Sequence, residues 1–211
     1  MSERCIVNVA TGRYTKGQLR LLAAFNGDNK RLWYGELPPG SPEHSEKPYA
    51  FKAYALKDAA RVFPLLLWCD ASILPGPRAL EDLWQRIEAK GYWFSKNGFR
   101  NSEWTNLAAL EDLGVTGVEN ESIEHVVATA FGINIAHPIG AAFLDEYFRL
   151  ANTRAFCGPW TGGKGVQHRH DQTAASVIAH RLGMELTDPP EWFAYRGGET
   201  EKTALVADGA Y

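Results

Sequence analysis

Cysteine, excess charge of one sign and long apolar runs are all scarce in this sequence of 211 residues. The three cysteines, Cys5, Cys69 and Cys157, are scattered and form no C-x-x-C pair, which argues against a disulfide framework, a zinc site of paired cysteines and dithiol redox chemistry. Lysine and arginine number 22 against 25 acidic residues, so the chain is not a generally basic protein that coats nucleic acid. No apolar stretch approaches the roughly 20 residues that cross a bilayer.

The amino-terminal residues predict no targeting segment. Met1 to Arg4 lead directly into the strand-like residues 5–10, which leaves no room for the charged and apolar regions of a signal peptide. Because the cysteines also read as reduced thiols, we expect a cytoplasmic protein. The hydrophobic fraction of 45% at this length is typical of a globular protein with a full core, and we expect one domain.

Strand-like and helix-like segments alternate through the first half of the chain. Strands are predicted at 5–10, 31–37, 65–69 and 92–94, and helices at 16–25, 48–61 and 80–90. This βαβαβαβ order predicts an α/β, Rossmann-like fold in which a mostly parallel central sheet has helices on both faces. A ligand site is then expected at the carboxyl ends of the strands.

The second half is less regular. The pattern predicts a helix over 103–113, a strand over 125–135, a helix over 139–150 and a further helix that begins at Asp171. We therefore expect the single domain to span 1–187. Residues 188–211 are rich in proline, glycine and charge, which predicts a C-terminal extension or loose tail.

Asp70 is the first candidate for a chemical role, because it ends the most hydrophobic run of the chain, LLLWC at 65–69. A carboxylate at that place costs desolvation unless a cation or a hydrogen-bond donor meets it. Mg²⁺ or Mn²⁺ on a phosphorylated ligand is one such partner. A turn cap is the other interpretation, and strand context alone leaves both open.

Two segments carry a family resemblance. Residues 47–60, KPYAFKAYALKDAA, followed by LLLWCDAS at 65–72, resemble glycosyltransferases of the GT-A fold, in which a lysine-bearing helix precedes a buried strand that ends in Asp-x-Asp or Asp-x-Ser. The segment HRHDQ at 168–172 adds to the resemblance, because many such enzymes carry an Asp-Gln pair at the start of a late helix.

The resemblance implies a glycosyltransferase that uses a nucleoside-diphosphate sugar, with a UDP-sugar favoured, and a hydroxyl acceptor on a glycan precursor or a modified DNA base. It implies a donor-binding half at 1–98 and an acceptor and catalytic half at 99–187. Thr11, Gly12 and Arg13 would face the nucleotide, Lys52 would neutralise the diphosphate, and Asp70 would reach a Mn²⁺ or Mg²⁺ ion. Asp171 and Gln172 would serve the sugar or the acceptor, and the Asp-Gln pair favours retention of configuration.

Ser72 departs from the commoner motif, which has a second carboxylate there. A hydroxyl is a weaker metal ligand, so the ion is held by fewer charges or another residue completes its shell. His168 and His170 are candidates, since residues two apart in an extended segment face the same side and imidazole favours Mn²⁺. The alternative is a solvated basic turn ahead of a helix that Asp171 caps.

Trp160 lies in a glycine-rich loop at 153–167, where it is either a lid that stacks on the sugar or an aromatic packed on the core. A local basic rim for DNA would consist of Arg100, Lys164 and the segment 168–170. Two other functions remain open. One is a non-catalytic protein that binds a nucleotide sugar, and the other is a metal-dependent hydrolase built on Asp70, His168, His170 and Asp171.

Overall fold

The computed structural model describes residues 4–157 and 168–209. The strands in that part of the chain are β1 (Arg4–Ala10), β2 (Asn29–Tyr34), β3 (Leu65–Cys69), β4 (Ile73–Pro75), β5 (Tyr92–Trp93), β6 (Lys96–Arg100), β7 (Glu124–Val126), β8 (Ala130–Asn134), β9 (Trp192–Tyr195) and β10 (Thr203–Ala207). The α-helices are α1 (Thr15–Ala24), α2 (Phe51–Ala59), α3 (Leu80–Lys90), α4 (Leu110–Leu113), α5 (Gly117–Ser122), α6 (Pro138–Ala151) and α7 (His170–Arg181).

The central sheet has the strand order β2-β1-β3-β8-β5. Strand β1 pairs in parallel with β2 and β3, and β8 is antiparallel to both β3 and β5. Only β8 of these five strands therefore runs against the others, which confirms the predicted mostly parallel sheet. The segment predicted as one strand over 125–135 forms two strands, because β7 leaves to pair with β6 in a separate antiparallel ribbon.

Side chains that alternate along the strands fill two cores, one on each face of the sheet. On β1, Cys5, Val7 and Val9 enter the core that holds α2, α6 and α7. Ile6 points the other way, into the core that holds α1 and α3. This is the period-two alternation of a strand buried on both sides, and it confirms the prediction of helices on both faces.

The C-terminal residues do not form the loose tail that their composition predicted. Strand β10 lies between β4, to which it is antiparallel, and β9, to which it is parallel. Phe193 and Leu205 are fully buried in the second core. The packing is tight: a Cβ added to Gly76 would lie 2.3 Å from the carbonyl oxygen of Thr203. The two short apolar runs thus form buried strands, although the proline and glycine around them are typical of a loose segment.

The helix predicted over 103–113 is also shorter than expected. Residues Asn101–Trp104 and Leu107–Ala109 form 3-10 turns, and only α4 is α-helical. In the interruption, the Asn106 side chain accepts a hydrogen bond from the N–H of Ala108, which caps the second turn. Within residues 4–157 and 168–209, no helix is both long and apolar enough to cross a membrane.

Candidate active site

A cavity of about 330 Å³ opens at the carboxyl ends of β1 and β3, where a mostly parallel sheet is expected to bind its ligand. Its walls come from the ends of the two strands and from an aromatic segment between β2 and α2. The lining residues are Val9, Ala10, Thr11, Tyr14, Leu37, His44, Tyr49, Phe51, Asp70, Ala71 and Ser72. The predicted nucleotide residue Thr11 and the predicted metal residues Asp70 and Ser72 therefore share one cavity.

Of the predicted nucleotide residues at the end of β1, only Thr11 lines this cavity. Gly12 begins a 3-10 turn with φ of 54°, a left-handed conformation that favours glycine. The guanidinium of Arg13 lies over the ring of Tyr14 and donates to its hydroxyl oxygen at 3.2 Å. Tyr14 itself lines the cavity, so Arg13 contacts a wall residue rather than the cavity.

The aromatic wall was not predicted. Tyr49 has a φ of 65°, and this left-handed conformation is strained for a residue with a large side chain. Its N–H donates to Nδ1 of His44 at 3.2 Å, which holds the turn in place. Strain of this kind concentrates at ligand sites. The sequence signal was the group of aromatic residues at the start of α2, which we interpreted as helix pattern and as part of the family resemblance at 47–60, without a role for Tyr49.

Because Lys52 lies off the apolar stripe of α2, its side chain is expected to point either to solvent or to the donor, and the structure excludes the first. Its side chain is 2% exposed, and its ammonium lies 3.0 Å from Oδ1 of Asp70 and 2.7 Å from Oδ2 of Asp171. It also donates to the carbonyl oxygen of Ala128 at 2.9 Å. Three acceptors therefore take the three ammonium hydrogens. At Lys52 the polar side of α2 therefore faces the buried carboxylate of Asp171 and the partly exposed carboxylate of Asp70 instead of water.

Charge pairing keeps this buried lysine protonated. Burial by itself lowers the pKa of Lys52, but the carboxylates of Asp171 and Asp70 outweigh burial and raise that pKa above its ordinary value. For Asp70 burial is the largest influence and raises the pKa of the carboxyl group, while Lys52 opposes it. We refer to Lys52, Asp70 and Asp171 as the charged cluster.

The side chains at Asp70 provide few ligands for a divalent metal ion. Oδ1 of Asp70 already accepts from Lys52 and from Nε1 of Trp68, the latter at 2.8 Å. Asp70 and Ser72 both line the cavity. Mg²⁺ is commonly held by one or two carboxylates and the phosphates of its ligand, so these residues fit an ion that shares its shell with phosphate.

The structure contradicts the histidine part of the predicted metal site. His168 is fully buried, its Nδ1 accepts from the N–H of Asn106 at 3.2 Å, and its Nε2 lies 2.7 Å from the carbonyl oxygen of Ala155. Both ring nitrogens are thus bound to backbone. Burial also lowers the pKa of His168 to about 4. His170, also fully buried, packs edge-to-face against it.

Among the residues described, no group of three or more His, Cys, Asp or Glu side chains could hold a metal ion. The hydrolase cluster proposed from Asp70, His168, His170 and Asp171 is therefore not assembled. Of the basic rim predicted for DNA, His168 and His170 are buried, and Lys164 lies outside the described residues. Trp160 likewise lies outside them.

Asp171 and Gln172 lie in the first turn of α7, which begins at His170, one residue before the predicted start, and has Arg169 rather than Asp171 as its N-cap. They line a second cavity of about 70 Å³ together with Tyr49, Lys52, Asp70, Ala128, Thr129 and Arg169. Tyr49 and Asp70 belong to both cavities, so the two are adjacent. The amide nitrogen of Gln172 lies 3.3 Å from Nδ1 of His125.

Comparison with solved structures identifies the fold. A glycosyltransferase involved in the glycosylation of the major capsid of PBCV-1 superposes with a TM-score of 0.52 at 13% identity, over 98% of this chain and 93% of that one. The bifunctional glycosyltransferase WbbM has a TM-score of 0.54 at 10% identity, over all of this chain and 46% of that one.

An active-site mutant of LgtC has a TM-score of 0.50 at 11% identity, over 98% of this chain and 88% of that one. No family model matches the sequence, and no curated protein matches it. The chain has the GT-A fold, in agreement with the fold that the sequence resemblance implied.

Proposed function

We propose that this chain is a glycosyltransferase that moves a sugar from a nucleoside-diphosphate sugar to a hydroxyl acceptor. The observation that carries the proposal is the charged cluster at the junction of the two cavities. Lys52 joins Asp70, at the end of β3, to Asp171, at the start of α7. The GT-A fold supports this function, although fold likeness alone does not decide chemistry.

The larger cavity suits the nucleoside. It has a volume of about 330 Å³ and aromatic walls at Tyr14, Tyr49 and Phe51, on which a base can stack. The smaller cavity, with Asp171 and Gln172, suits the sugar. In this arrangement the diphosphate lies between them, beside Asp70 and Ser72.

In the transfer, the bond between the anomeric carbon and the diphosphate oxygen breaks, and its electron pair leaves with the nucleoside diphosphate. A bond forms between that carbon and the acceptor oxygen, and the acceptor proton passes to the oxygen of the departing diphosphate. Asp171 binds a sugar hydroxyl through the carboxylate oxygen that Lys52 does not take. The three ammonium hydrogens of Lys52 are already bound within the protein. Lys52 therefore positions the carboxylates of Asp70 and Asp171 and does not bind the diphosphate directly.

Asp70 and Ser72 would hold Mg²⁺ or Mn²⁺ together with the donor phosphates. Such an ion supplies positive charge to the diphosphate as negative charge develops on it. We propose the donor as a class, a nucleoside-diphosphate sugar, and favour a UDP-sugar within it. For the acceptor we favour a glycan hydroxyl. The Asp171–Gln172 pair favours retention of configuration.

The nucleotide part is tested by binding. Nucleoside diphosphates should raise the melting temperature, since a ligand at 100 times its Kd adds about 2.7 kcal/mol to the free energy of unfolding. Tyr14→Ala should weaken binding by about 1 to 3 kcal/mol through lost stacking. Tyr34→Ala is the matched control, because Tyr34 is also an exposed tyrosine but does not line the cavity. Equal binding by both variants, or no binding to the unaltered chain, would contradict the assignment.

A further inference from the structure

His125 on β7 is fully buried and has no role in the charged cluster. Two side-chain amides converge on its Nδ1: the Asn97 nitrogen at 2.7 Å and the Gln172 nitrogen at 3.3 Å. The Trp104 ring lies nearly parallel to the imidazole, at an interplanar angle of 6° and a centroid distance of 6.1 Å. A buried ring thus links β6 to the residue that follows Asp171.

A backbone group fixes the orientation of the Asn97 amide. The N–H of Phe99 lies 3.1 Å from Oδ1 of Asn97, and a backbone N–H can only donate. The other end of the amide, facing His125, is therefore its NH2 group. An NH2 group also can only donate, so Nδ1 of His125 must be the acceptor and the ring proton must lie on Nε2.

The same lone pair orients Gln172. Nδ1 meets two donors, so the nitrogen end of the Gln172 amide faces the ring and its oxygen end is left for the small cavity that Gln172 lines. In the opposite tautomer, the N–H at Nδ1 would face two NH2 groups, so three donors would meet with no acceptor between them. The Nε2–H tautomer has its own cost, because Nε2 is buried with no acceptor among the residues described. Burial, assisted by the charge of Arg169, lowers the pKa of His125 to about 3 and keeps the ring neutral.

We propose that His125 is a positioning residue: its Nδ1 lone pair, set by Asn97, makes Gln172 present its carbonyl oxygen to the donor sugar. This inference rests on the proposed glycosyl transfer. Positive charge develops at the anomeric carbon when its bond to the diphosphate breaks, and a fixed carbonyl dipole stabilises that charge. An NH2 group in the same place would oppose it.

Asn97→Asp tests the inference at a half-buried position away from the charged cluster. A carboxylate can only accept hydrogen bonds. One oxygen of the new aspartate accepts from Phe99, so the other oxygen, which faces His125, requires a proton on Nδ1. Gln172 must then turn its oxygen to the ring and its NH2 to the sugar. We expect kcat to fall by about tenfold or more with donor KM within about twofold, which is the pattern of a lost transition-state interaction. Asn97→Ala is the control and should lose less, because Nδ1 keeps its lone pair for Gln172.

Two further measurements separate positioning from a structural effect. The ¹⁵N spectrum of the His125 imidazole should show protonated Nε2 in the unaltered chain and protonated Nδ1 in Asn97→Asp. In a Gln172→Ala background, Asn97→Asp should change kcat no further. Protonated Nδ1 in the unaltered chain, or the same loss of kcat in both backgrounds, would overturn the inference. Because the spectrum needs no donor, it tests the orientation separately: an unaltered chain without turnover would overturn the proposed transfer instead.

Discussion

The candidate site has two sides that are organised by different interactions. The charged cluster of Lys52, Asp70 and Asp171 buries an ammonium against two carboxylates. The amide side, Asn97, His125 and Gln172, has no formal charge and depends on which atom donates to which. The comparison teaches that the two sides should respond differently to substitution. Breaking an ion pair in the charged cluster should lower the free energy of unfolding, whereas reversing the donors and acceptors on the amide side should lower the rate of the proposed transfer.

The largest expected effect on folding comes from removing the buried ammonium. Lys52→Met leaves the carboxylates of Asp70 and Asp171 facing each other without a cation, and breaking a buried ion pair in this way costs about 3 to 5 kcal/mol of the free energy of unfolding. Urea denaturation measures the loss.

Lys57→Met is the matched control. Lys57 lies on the same helix and pairs with Asp145, but both side chains are at least one-third exposed. Exposed pairs contribute about 0 to 1 kcal/mol, so this variant should unfold almost as the unaltered chain does. If the two variants lost equal stability, the charged cluster would be no more important than a surface pair.

Acid should act on stability through buried neutral histidines. The pKa of His125 is lowered from 6.5 to about 3 and that of His168 from 6.5 to about 4. The unfolded chain therefore binds protons below pH 6.5 that the folded chain does not, and the free energy of unfolding falls as pH falls through this window. Each histidine contributes a slope of about 1.4 kcal/mol per pH unit.

Urea denaturation at pH 7 and pH 5 measures this slope. His125→Asn removes one of these buried histidines and keeps an acceptor near the position of Nδ1, so the stability of this variant should fall less steeply with acid. An unchanged slope in that variant would show that the ring of His125 takes up a proton in the folded chain as readily as in the unfolded one.

The smallest expected effect concerns Ser72, the hydroxyl where the commoner motif has a carboxylate. Ser72→Asp should tighten Mn²⁺ binding by about tenfold through the added charge, and Ser72→Ala should change it by about twofold or less. Calorimetric titration of Mn²⁺ with a nucleoside diphosphate present measures both. Unchanged affinity in Ser72→Asp would place the ion away from residue 72.

The sequence pattern was sufficient to predict a mostly parallel central sheet and two residues of the charged cluster. Asp70 and Asp171 were both predicted at strand and helix ends, and the structure brings them to one lysine. The burial of Lys52 was not predictable, because a helical stripe reports apolar neighbours within the helix and not acidic partners on other elements. His168 failed as a ligand for a similar reason: its spacing from Asp171 does not report the backbone groups of Asn106 and Ala155 that bind its ring nitrogens.

The C-terminal strands were missed because composition over a whole segment hides short apolar runs. Phe193 and Leu205 lie in strands of four and five residues, and the strand of Leu205 pairs with β4, which is remote in sequence. His125 carried no local motif, and within the segment 47–60 nothing in the sequence set Tyr49 apart from its neighbours. The role of His125 depends on the polarity of Asn97 and Gln172, and that of Tyr49 on a backbone angle, neither of which a sequence pattern encodes.

The most direct test of glycosyl transfer is the release of nucleoside diphosphate from a panel of nucleoside-diphosphate sugars in the presence of Mn²⁺ or Mg²⁺. We expect release with a preferred nucleotide. We expect a loss of about 10²- to 10³-fold in Asp171→Asn, since removing one electrostatic contact to the transition state has this size. Asp145→Asn, a matched change at an exposed carboxylate, should release at the unaltered rate. If the unaltered chain binds nucleoside diphosphates but releases none from any sugar donor, it is a binding protein and the account is contradicted.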